Sequence, residues 1–84
     1  MSFPSVPSVE EVSKWSPKDV ITFLETKKEE LFLDDDDINV IKRNKVAGCA
    51  FLDLSQEEFE RCGLTVGPAK TIMRLIKAIK SQPE

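Results

Sequence analysis

The chain has 84 residues, enough for one domain with a modest core but not for a core plus a deep substrate cleft. Its apolar and charged fractions, 40% and 32%, are those of a soluble globular protein, and a net charge of −3 argues against nonspecific attraction to nucleic acid or an anionic membrane. It contains no histidine, which removes the commonest general base, the usual zinc ligand sets and the Ser/His and Cys/His nucleophile systems together.

The remaining chemistry is sparse. Cys49 and Cys62 are too few for a disulfide framework and are expected to be reduced thiols of a cytoplasmic or nuclear protein. The first residues lack a basic region followed by an apolar run, so no signal peptide is expected. No apolar stretch approaches the roughly 20 residues of a membrane-spanning helix. Gly48, Gly63 and Gly67 stand singly between helices and form no phosphate-cradling loop. Asp34–Asp37 lack the alternation and the glycine of a calcium loop and are read as a helix cap with a solvated surface. The expectation is a protein with no catalytic activity, no cofactor and no metal.

In chain order, residues 1–9 carry Pro4 and Pro7 and are expected to form an extended arm, which Phe3 either leaves free or ties to a packing partner. The domain is expected over 10–80, with a tail at 81–84. Ser16 is a good N-cap, Pro17 suits the first helical position and Asp19 falls where its carboxylate can reach back to the cap. Trp15 and Val20 have the spacing of a hydrophobic staple, and Val20, Phe23 and Leu24 form an apolar face on a helix running to about Lys28. Leu31 and Leu33 are expected to pack in the connection. Ile38, Val40 and Ile41 mark a second helix ending near Asn44, with Lys42, Arg43 and Lys45 at its negative end. A very short third helix or turn spans Gly48 to Leu52.

Ser55 and Glu58 form the spacing of a capping box for a fourth helix, with Phe59 and Cys62 inward and Gly63 closing it at positive φ. Thr65 is expected to cap the fifth and longest helix, whose apolar residues are Ala69, Ile72, Met73, Ile76 and Ile79. Pro68 is tolerated there because the first-turn N–H groups have no intrahelical partner. Lys70, Arg74 and Lys77 share one face of that helix, and acidic clusters elsewhere complement them. The aromatic residues sit at core-like positions rather than among the basic ones, so no base-stacking platform is evident.

Taken together, these residues resemble the sterile alpha motif (SAM) domain, an interaction module of five helices. The resemblance covers roughly Val12 to Lys80 and rests on an ordered set of pieces. These are Trp15-Ser16 followed by Val20, Phe23 and Leu24, then Asn44-Lys45-Val46 leading to Gly48, and Phe51-Leu52-Asp53-Leu54. Glu58-Phe59, Gly63-Leu64, Gly67 and the Ile72/Ile76/Ile79 helix complete it. It implies an all-α, compact five-helix bundle with a long C-terminal helix. A death-fold bundle is the rival architecture, set apart by six long helices.

The resemblance also implies a mode of action. SAM domains commonly bind one another through an acidic mid-loop surface and a basic end-helix surface at the start of the fifth helix. Carried onto this chain, the mid-loop candidates are Asp53, Gln56, Glu57 and Glu60, with Cys49 nearby, and the end-helix candidates are Gly67, Pro68, Lys70 and Arg74. Gly67 lets a partner approach the helix N-terminus closely, whereas Pro68 removes one of its donors. The partner implied is another SAM domain or a second copy, and two unlike patches of this kind give rings or filaments. Some SAM domains instead bind RNA hairpins, using an arginine two residues and a lysine four residues after the glycine opening the fifth helix. Those places are Ala69 and Thr71 here, which argues against nucleic acid.

Overall fold

The computed structural model describes residues 6–82, and the sequence reading of Phe3 lies outside them. Six helices follow in order: α1 (Val9–Ser13), α2 (Pro17–Thr26), α3 (Asp35–Arg43), α4 (Gly48–Asp53), α5 (Gln56–Cys62) and α6 (Val66–Lys80). Five of them, α2 to α6, are those expected, and there is no strand among the described residues. The additional helix, α1, has five residues, so the sixth element does not make a bundle of six long helices. Only α6, with 15 residues, is longer than α2, with 10.

Helix starts are set by reciprocal side-chain bonds. The Asp19 N–H donates to Ser16 Oγ (3.2 Å) and the Ser16 N–H to Asp19 Oδ2 (3.1 Å). The same exchange links Ser55 with Glu58 and Asp34 with Asp37. Each box satisfies two backbone donors that a helix start leaves orphaned. The Asp37 carboxyl titrates above its ordinary range because it is partly desolvated and sits beside Asp34 and Asp36; the bond from the Asp34 backbone opposes the shift. Asp35 turns instead to Lys28, whose ammonium it holds in the charged form. Thr65 departs from expectation. It has the extended backbone of an N-cap, but its side chain accepts no capping bond.

The apolar faces of these helices meet in one core that runs from Val12 to Ile79, and no polar or charged residue is buried among the described residues. The Phe51 and Phe59 rings meet edge to face, 6.0 Å between centroids, and Trp15 tilts against Phe23 at 5.1 Å. Leu75 is fully buried and extends the expected apolar face of α6. Met73, half-buried, sits at the edge of that face.

Where it is described, from residue 6, the N-terminal segment packs on the domain. Val6 packs against the core, Ser8 caps α1 and Val12 is fully buried. α1 lies on α4 at Gly48, whose N–H donates to the Trp15 carbonyl (3.0 Å). A Cβ on Gly48 would lie 1.7 Å from the Val12 carbonyl oxygen, so this glycine is demanded by a backbone crossing rather than by a turn. The Gln82 side chain donates to the Pro7 carbonyl (2.5 Å), joining the two ends of the described fold.

Two chain reversals use the same hydrogen-bond pattern with different residues. After α5, the Gly63 N–H donates to the Glu60 carbonyl and the Leu64 N–H to that of Phe59, with Gly63 at φ 123°. After α2, the Phe32 N–H donates to the Glu29 carbonyl (3.3 Å) and the Leu33 N–H to that of Lys28 (3.0 Å). This is a Schellman-type closure, whose left-handed position is ordinarily glycine. Here it is Phe32, at φ 54° and 84% exposed, between the buried Leu31 and Leu33. A non-glycine residue in that conformation costs about 1–2 kcal/mol.

A candidate protein-docking surface

The amphipathic pattern of α6 decides what it shows to solvent. With Ala69, Ile72, Leu75, Ile76 and Ile79 buried, Lys70, Arg74, Lys77 and Lys80 are left on the outside. None of these four forms an ion pair among the described residues; the pairs there are Lys14–Glu10, Lys27–Glu30, Lys28–Asp35 and Arg61–Glu57. Among the described residues, then, the acidic clusters form no ion pair with the basic face.

The first turn of α6 is open. Val66 is 54% exposed, and nothing lies within 4 Å of where a Gly67 Cβ would stand. Because Thr65 does not cap and Pro68 has no N–H, the Val66 and Gly67 N–H groups have no side-chain acceptor from the cap. Val66 is the apolar contribution to this end that the sequence reading left out. Its position just after Thr65, outside the apolar repeat of the helix, was the available signal.

The mid-loop candidates are less free. Glu57 accepts a bond from Arg61 within α5 (2.8 Å), and Glu60 accepts one from the Gln56 amide (3.0 Å). Glu58 is engaged in the cap of α5. Asp53 and Cys49 are exposed, and Asp53 makes no ion pair among the described residues. The structure brings Gln56 to α6: it lines the same open depression, about 590 Å³, as Lys70, Met73, Arg74, Lys77 and Lys80. Packing of α5 on α6 is the cause, so Gln56 adjoins the basic face instead of standing apart on an acidic one.

Among the described residues no three His, Cys, Asp or Glu side chains converge as metal ligands, and no helix is long and apolar enough to cross a membrane. The described residues form a small all-helical bundle whose last and longest helix carries an exposed basic row. The family model described as a SAM-like domain matches residues 1–78, and the chain belongs to that family. No curated protein and no solved structure matches it at a significant level. SAM-like domains are generally protein-interaction modules, typically without catalytic activity.

Proposed function

We propose that this chain is a non-catalytic adaptor that docks onto another SAM domain, or onto a second copy of itself, through two patches. The basic patch comprises Gly67, Pro68, Lys70 and Arg74. The acidic patch comprises Asp53, Glu57 and Glu60, with Gln56 at the seam between the two. The observation that carries this reading is the row of exposed cations on α6, without an ion pair among the described residues, beside the open Val66–Gly67 turn. Exposed ion pairs contribute only about 0–1 kcal/mol each. The apolar Val66 and the stems of Lys70 and Arg74 therefore supply the dry part of the contact.

Lys70→Glu and Arg74→Glu test the proposal. Each side chain is exposed, so the thermal transition should be unchanged. Affinity for a SAM-domain partner, read by calorimetry, should fall about tenfold, equivalent to roughly 1.4 kcal/mol. An unchanged Kd with both variants folded overturns the assignment of the basic patch.

A further inference from the structure

We infer that Phe32 is an insertion knob, and that its receptor is the basic-rimmed depression on α6 of a second copy of this chain. The inference rests on the proposed docking role of α6 and names a different element to meet it. Phe32 is unfavourable to its own molecule in two ways. The residue is 84% exposed, and its backbone is left-handed at a position where the equivalent turn after α5 uses glycine. A residue that a fold tolerates at such cost points to a use outside the fold. Aromatic side chains are favoured anchors at interfaces because a rigid ring brings large apolar area to a pocket.

The receptor offers apolar surface and is matched in charge. The depression of about 590 Å³ is lined by the apolar Met73 and Ile76 together with Lys70, Arg74, Lys77 and Lys80. Residues 66–80 hold these four cations and no acid. Around the knob, residues 27–37 hold six carboxylates (Glu29, Glu30, Asp34–Asp37) against two lysines (Lys27, Lys28), a net −4 opposite a +4. A second copy supplies both halves of the match, and opposite potentials of this kind fix register and speed encounter. Knob and groove are different surfaces, so the contact is heterologous.

Sedimentation velocity of the 84-residue chain over a concentration series reaching about 1 mM, enough to populate a weak contact, tests the inference. The parent should sediment faster as concentration rises. Phe32→Gly suits the left-handed turn, so it should melt at or above the parent temperature yet remain monomeric. Lys77→Glu, outside the Lys70 and Arg74 patch, should also be monomeric. An equimolar mixture of the two variants keeps one intact groove and one intact knob and should recover a dimer and nothing larger. A parent that stays monomeric throughout, a Phe32→Gly variant that assembles like the parent, or a mixture that stays monomeric overturns the inference. Assembly lost with Glu57→Lys or Lys70→Glu but kept with Phe32→Gly rejects the knob and leaves the proposed patches standing.

Discussion

Gly48 shows how much one hydrogen atom can decide. Its α-carbon passes so near the Val12 carbonyl that any side chain would collide with backbone, which cannot rotate away as a flexible side chain can. Gly48→Ala should therefore act as an overpacking substitution, costing about 1–3 kcal/mol or more and lowering Tm by at least roughly 5–20 °C. A melting curve unchanged from the parent would mean that α1 does not pack on α4 in solution. In the sequence this glycine reads as punctuation between helices, because close approach by a segment some 35 residues away in the chain leaves no local trace. Phe32 is obscured for a related reason. Leu31 and Leu33 pack as their positions in the connection suggest, but the left-handed backbone that turns Phe32 outward between them shows only in the reversal of the chain.

At the scale of the helix, the capping chemistry was largely legible. Ser16 with Asp19 and Ser55 with Glu58 carry residue types at a fixed spacing, and both boxes form. The Asp34–Asp37 run has the residue type of a cap, and it divides its labour: two residues close the box, and Asp35 holds Lys28. α1 was not legible, because five residues with Val12 as the one buried side chain make too short a repeat to show periodicity. Thr65 is the converse case, a cap by residue type that makes no capping bond. The two caps can be separated by urea denaturation. Ser55→Ala should lose about 1 kcal/mol, whereas Thr65→Ala should change stability by no more than a few tenths. Equal losses would show that the Thr65 hydroxyl caps after all. The basic row of α6 was readable from spacing alone, but the arrival of Gln56 beside it required the packing of α5 on α6.

For the whole molecule, the proposed association joins charge to a small apolar centre. A standard interface takes about 800 Å² from each partner. This is roughly one-seventh of the 5487 Å² that the domain exposes, so there is area for two such faces. The charged part should respond to ionic strength. As the Debye length falls from about 10 Å at 0.1 M salt to about 3 Å at 1 M, self-association should weaken without vanishing, since ring burial is not screened. Sedimentation coefficients that do not change with salt would remove electrostatics from the contact.

The bond from Gln82 to the Pro7 carbonyl sets how such a unit can be mounted. The two ends of the described bundle stand side by side, a geometry that suits insertion as a cassette into a surface loop of a host, whose two attachment points would need little spreading. Hung in that way on a narrow stalk, it would be free to swivel while presenting its faces.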